Sequence, residues 1–335
     1  MENLVNSSPL ILVLVFLVIG FAFLMKGADF FVEGSSSIAK RLKVPPIIIG
    51  LTIVAMGTSL PETAVSVTAS LVNNNELAVS NVVGSNIFNL MVVVGVCSIL
   101  TPILVQKETI KRDIPFSMIC AFLLLGLGIL AVGDKSGMTL GHLDGMILLG
   151  FFAGYIVAMI RSAMKARAAG KNVEIEGIEE LEEEIGILSW PKSILFIVGG
   201  ALAIAFGGDL TVDAASRIAI DLGMSQTLVG LTIVSIGTSL PELVTSVVAA
   251  RKNEVDMAVG NAVGSNIFNI LMVLGIASAI NPVALIRENI IDNVILIVFS
   301  LIVWIYAATK RKISRKEGIS MVCLYLIYAG YIIWR

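Results

Sequence analysis

Runs of about 20 apolar residues recur along the whole chain, the length an α-helix needs to cross roughly 30 Å of hydrocarbon. Ten are visible, near residues 10–33, 44–72, 77–102, 114–132, 143–159, 193–213, 227–250, 257–282, 290–308 and 319–334. Each reads as one transmembrane helix. The second and seventh runs differ from the rest, because Gly57 and Pro61, and Gly237 and Pro241, fall inside them. Proline removes a backbone donor and glycine tolerates unusual dihedrals, so these two helices are expected to be interrupted. Their length, about 40 Å as helix, leaves room for a break.

Polar positions within the runs are few and patterned. Asn81, Ser85 and Asn89 recur every four residues and share one helix face, as do Asn261, Ser265 and Asn269. Two carboxylates, Glu62 and Glu242, fall mid-run, where an ionisable group is costly enough to imply function. No basic residue lies mid-run to neutralise them, so a cation or a proton must. Asp29, Glu33, Asp209 and Asp213 sit towards run ends and read as interfacial acids.

A shift of 180 residues aligns the chain with itself without a gap: 27 of 46 positions are identical between 50–95 and 230–275. Five spans per half is an odd number, so the second half must cross the membrane in the opposite sense. The basic residues agree. With the N-terminus placed outside, eighteen of the 23 Lys and Arg residues fall on the cytoplasmic side. Both termini are then outside. The chain divides into a first five-helix repeat (1–165), an acidic cytoplasmic linker (166–189) and a second, inverted repeat (190–335). The linker's seven glutamates between 174 and 184 read as a solvated connection. Inverted repeats with broken helices predict a substrate site at the midplane.

Composition confirms the class: 57% hydrophobic and 14% charged residues with a mean hydropathy of +0.95 exclude a soluble globular protein. Glu2 and the absence of a preceding Lys or Arg argue against a cleaved signal peptide. Cys97, Cys120 and Cys323 suggest packing only. The hydroxyls of Thr58, Ser59, Thr238 and Ser239 stand beside the glutamates, giving a hard, oxygen-only donor set suited to Ca²⁺ and Na⁺. Zinc and copper would want imidazole or thiolate, and the single histidine, His142, is in a loop. An intramembrane hydrolase is disfavoured because Ser59 and Ser239 lack a mid-span base. A passive channel fits the donors, but interrupted inverted repeats favour a carrier.

The segments Gly-Leu-Thr-Ile-Val-Ala-Met-Gly-Thr-Ser-Leu-Pro-Glu (50–62) and Gly-Leu-Thr-Ile-Val-Ser-Ile-Gly-Thr-Ser-Leu-Pro-Glu (230–242) resemble the α-repeats of sodium/calcium exchangers. Gly-Ser-Asn-Ile-Phe-Asn at 84–89 and 264–269 looks like their second part. The resemblance implies an all-α, ten-helix antiporter with no cofactor, exchanging Na⁺ for Ca²⁺ across the cell membrane and exporting Ca²⁺ electrogenically. It implies that Glu62 and Glu242 ligate the ions, with oxygens from Thr58, Ser59, Ser85, Thr238, Ser239, Ser265, Asn89 and Asn269, and backbone carbonyls near Ala55 and Ser235. The partners are then the two ions and the lipid bilayer, with no nucleic acid, and a monomer is expected to suffice. Asn269 departs from the aspartate that some archaeal exchangers and the potassium-dependent branch carry there, which argues against K⁺ co-transport and removes one protonatable group. A K⁺-dependent or H⁺-coupled Ca²⁺ exchanger is the alternative.

Overall fold

The computed structural model describes residues 2–71, 75–130, 139–168, 187–224, 233 and 235–334. The chain is almost entirely helical. Among the described residues, eight helices are long and apolar enough to span a membrane, or nine if a bent pair counts as one span. In chain order these are α1 (Leu10–Leu42), the bent pair α2 (Pro46–Thr58) and α3 (Leu60–Leu71), α4 (Ala78–Leu100), α5 (Thr109–Ile129), α6 (His142–Ala166), α7 (Trp190–Asp221), α9 (Val255–Ile280), α10 (Arg287–Lys310) and α11 (Arg315–Trp334), with the shorter α8 (Leu240–Arg251) before α9. Ten spans are therefore not all seen. The first part of the expected seventh, and most of the acidic linker, lie outside the described residues.

Two helices outrun their apolar segments. The expected run 10–33 becomes a helix to Leu42, and 193–213 becomes Trp190–Asp221. Acidic residues marked the end of hydropathy there, not the end of helix. Ser35, Ser36 and Ser37 continue α1 because they are buried against neighbours.

Small residues dictate how α1 and α7 meet. A Cβ added to Gly27 would lie 2.9 Å from the Gly200 carbonyl oxygen, one on Gly200 2.7 Å from the Gly27 carbonyl, and one on Gly207 2.7 Å from the Gly20 carbonyl. Gly34 meets Ser193 in the same way. Numbers rise along one helix as they fall along the other, so the pair is antiparallel, with its backbones in contact at every second turn. The outer faces carry Ile11, Val18, Leu195 and Leu202, exposed and apolar, as suits lipid.

At the centre stand α4 and α9, most of whose residues are buried. Gly260 and Gly264 bring α9 against α2, where added Cβ atoms would fall 2.7 Å from the Ile47 carbonyl and 2.8 Å from the Ala55 Cβ. Two short antiparallel ribbons tie the ends together: β1 (Ile103–Leu104) with β4 (Lys312–Ile313), and β2 (Thr139–Leu140) with β3 (Val283–Ala284). They leave the helices to carry the core.

Candidate functional site

The break between α2 and α3 bends the helix by 48° at Ser59. Ser59 (φ −82°, ψ 12°) and its counterpart Ser239 (φ −93°, ψ 4°) both sit in the sparsely populated bridge region. Two residues on, Pro61 and Pro241 offer no N–H, so the carbonyls of Gly57 and Gly237 lose their intrahelical donors. The glycines themselves act differently from the sequence-based expectation. Gly57 lies within helix, and among the described glycines only Gly223 has a positive φ. Gly57 is small because Phe31 of α1 presses on it: an added Cβ would lie 2.5 Å from the ring. Gly237 faces Val212 of α7 in the same manner.

After each break the helix restarts with a glutamate in its first turn, close to the positive end of the helix dipole. Glu62 and Glu242 are both fully buried. The serines cross over: Ser239 Oγ donates to Glu62 Oε1 at 3.2 Å, and Ser59 Oγ to Glu242 Oε1 at 3.0 Å. Each glutamate's second hydroxyl comes from its own half, Ser85 to Glu62 at 3.5 Å and Ser265 to Glu242 at 3.3 Å. The other carboxylate oxygens, Glu62 Oε2 and Glu242 Oε2, have no partner. Among the described residues no ion pair reaches either glutamate. A buried carboxylate left so is costly unless a cation or proton completes it.

The polar stripes face this pair. Asn89 and Asn269 are fully buried, and the side-chain oxygen of each is also unpartnered. Both open a π-turn, Asn89–Val93 and Asn269–Val273, a local widening that recurs at functional sites. Thr58 Oγ1 donates to Asn261 Oδ1 at 3.0 Å and Thr238 Oγ1 to Asn81 Oδ1 at 3.3 Å. The Ala55 carbonyl accepts the Ser59 N–H at 3.0 Å, whereas the Ser239 N–H turns to the Ile236 carbonyl at 3.1 Å. Ser235 opens the helical turn Ser235–Gly237, and its side chain lies outside the described residues.

The structure therefore joins the two glutamates to the hydroxyls of Ser59, Ser239, Ser85 and Ser265, while Thr58 and Thr238 bond Asn261 and Asn81, and Asn89 and Asn269 bond Asn266 and Asn86. It adds a surrounding layer that the four-residue stripe passed over. Ser66 and Ser246 hold Asn81 and Asn261 at 3.1 and 2.9 Å, and Asn86 and Asn266 lie between the stripes. The signal for the asparagines was present in the repeated Gly-Ser-Asn-Ile-Phe-Asn, one position off the face that was counted. Among the described residues no three His, Cys, Asp or Glu side chains cluster. Away from the centre, Asp29 pairs with Lys252 at 3.5 Å and Lys26 at 3.7 Å.

The family model described as sodium/calcium exchanger protein matches residues 12–161 and 192–334. The chain is 33% identical over 336 residues to the sodium/calcium exchanger MaX1 of Methanosarcina acetivorans, covering 93% of this chain and 96% of that one. It is 32% identical over 324 residues to the inner membrane protein YrbG of Escherichia coli strain K12, covering 95% and 94%. A solved structure of the sodium-calcium exchanger NCX_Mj, soaked with Na⁺ and Sr²⁺, superposes with a TM-score of 0.79 at 31% identity, covering 96% of this chain and 99% of that one.

Proposed function

The chain belongs to the sodium/calcium exchanger protein family, and from that premise we propose that it exchanges Na⁺ for Ca²⁺ across the cell membrane by alternating access. It is a multi-pass transmembrane antiporter, not an enzyme, and the family match and the likeness to solved exchanger structures support cation/Ca²⁺ antiport. In the proposed cycle one Ca²⁺ or several Na⁺ occupy the same oxygens in turn: Glu62, Glu242, Thr58, Ser59, Thr238, Ser239, Ser85, Ser265, Asn89 and Asn269, with the carbonyls of Ala55 and Ser235. The observation that carries this reading is the set of four buried, unpaired oxygens, one on each of Glu62, Glu242, Asn89 and Asn269. Among the described residues no ion pair reaches either glutamate, and all four oxygens are hard ligands.

One Ca²⁺ balances two carboxylates, and Na⁺ must do the same charge work in greater number. Exchange of more than two Na⁺ per Ca²⁺ is electrogenic, worth about 2.3 kcal/mol per net charge per 100 mV, and inward Na⁺ and voltage gradients then drive Ca²⁺ out. Ten spans in two inverted repeats, 1–165 and 190–335, joined by the linker 166–189 with both termini outside, are part of the proposal. Two findings support it. The equivalent helices α1 and α7 run antiparallel, and each ribbon joins two loops that the charge distribution places on one side.

The test is ⁴⁵Ca²⁺ uptake into proteoliposomes driven by an outward Na⁺ gradient, with and without K⁺ and with the potential clamped. Na⁺-dependent, K⁺-independent and voltage-sensitive uptake is expected. Uptake that requires K⁺, or that ignores Na⁺ and follows a pH gradient, overturns the proposed coupling.

A further inference from the structure

Four asparagines, Asn86, Asn89, Asn266 and Asn269, meet between α4 and α9. Asn86 Nδ2 donates to the backbone carbonyl of Asn266 at 3.1 Å, and Asn266 Nδ2 donates to the backbone carbonyl of Asn86 at 3.1 Å. A backbone carbonyl can only accept, so these two bonds fix which end of each amide is nitrogen. The remaining oxygens are thereby aimed. Asn266 Oδ1 accepts from Asn89 Nδ2 at 3.2 Å, and Asn86 Oδ1 accepts from Asn269 Nδ2 at 3.1 Å. With their nitrogens committed, Asn89 and Asn269 can turn only oxygen towards the centre, and those are the two oxygens left unpaired.

We propose that Asn86 and Asn266 are positioning residues that hold the amides of Asn269 and Asn89 with their oxygens turned to the transported cation. This rests on the reading that Asn89 and Asn269 ligate the ion. The competing arrangement is the flipped amide, which would set an N–H₂ donor where each unpaired oxygen now stands. A flip is opposed because it would set two carbonyl oxygens against each other at about hydrogen-bond distance, next to a backbone acceptor that cannot adapt. The relay thus keeps the centre composed of acceptors when no ion is in it. Each asparagine of the relay serves the other half's ligand, as the serines do at the helix breaks.

The experiment is a double-mutant cycle read as Ca²⁺ affinity by calorimetry on purified protein, with gel filtration to verify folding. Asn86→Leu removes both the anchor and the acceptor for Asn269 while keeping the volume. The dissociation constant is expected to rise about tenfold or more with Asn269 in place, and by less than about threefold in the Asn269→Asp background, since a carboxylate presents oxygen whichever way it turns. An equal loss in both backgrounds, which simple packing damage gives, overturns the proposal, and so does unchanged affinity in Asn86→Leu. If Asn86→Leu does not fold, the mirror cycle of Asn266→Leu with Asn89→Asp asks the same question. Glu62→Gln is run alongside: Ca²⁺ binding that survives it intact refutes the site itself, an outcome separate from failure of the relay.

Discussion

Glu62→Gln keeps the shape of the side chain and removes one of the two charges facing the centre. The loss can be scaled from the surroundings. Glu62 is fully buried, its Oε1 is held by Ser239 and Ser85, and its Oε2 is free to meet a cation. A unit charge and a divalent ion about 4 Å apart attract by about 8 kcal/mol at an effective dielectric of about 20. Desolvation of the carboxylate offsets part of this, and if half survives the deficit is about 4 kcal/mol, or roughly a thousandfold in affinity. Exchange should therefore vanish at Ca²⁺ concentrations that saturate the wild type, while the variant still inserts and elutes as a folded species. Glu242→Gln should match it closely, because Ser59 and Ser265 surround Glu242 as Ser239 and Ser85 surround Glu62. The assay is Na⁺-driven ⁴⁵Ca²⁺ flux in proteoliposomes at several Ca²⁺ concentrations. Wild-type flux by either variant, or a deficit below about tenfold, refutes the placing of the ion between the two carboxylates.

The crossed serines make a sharper distinction between the halves. Ser59→Ala should weaken Ca²⁺ binding by about 10- to 100-fold, the worth of a hydrogen bond to a charged group; the loss should shrink when Glu242→Asp has already withdrawn the acceptor and persist with Glu62→Asp, and the reverse pattern of coupling would refute the cross-over. Gly27→Leu should destabilise the protein by more than about 2 kcal/mol, since even its Cβ would lie 2.9 Å from the Gly200 carbonyl, and a melting temperature equal to wild type would count against the α1–α7 contact. Gly57→Ala should slow exchange more than it loosens Ca²⁺ binding, because the new methyl meets the Phe31 ring on α1 and not the ion; equal effects on both would show the methyl disturbing the ligands.

Much of this site is readable from one chain because its chemistry is local and repeated. Glu62 and Glu242 are conspicuous as carboxylates in apolar runs, and Asn81, Ser85 and Asn89 announce a helix face by their spacing alone. What escapes such a reading is who bonds to whom across the halves. Nothing in Gly-Thr-Ser-Leu-Pro-Glu tells that Ser59 serves Glu242 and not Glu62, since that follows from how two distant breaks approach each other. Gly57 misleads for the same reason: its sequence context suggests a backbone kink, and the kink falls instead at Ser59 and Pro61 while the glycine accommodates Phe31. Asn86 is invisible to a four-residue stripe because its partner is its own counterpart, Asn266, reached only in three dimensions. The ends of α1 and α7 escape the hydropathy pattern because hydropathy marks where hydrocarbon stops, and in α1 the buried Ser35, Ser36 and Ser37 let the helix go on.

The reciprocal bonding around the centre also supplies a built-in control for experiment. Nearly every contact there has a twin 180 residues away, made by the same side chains at nearly the same distance: 3.0 against 3.2 Å for the crossed serines, and 3.1 against 3.2 Å for the ligand amides. A substitution made in one copy can be repeated in the other with chemistry, burial and hydrogen bonding held constant. What then differs between the twins is the set of positions that break the match, such as Ala55 against Ser235 and Thr63 against Leu243. The asymmetry of the two halves is thus open to measurement by subtraction, one twin's phenotype from the other's.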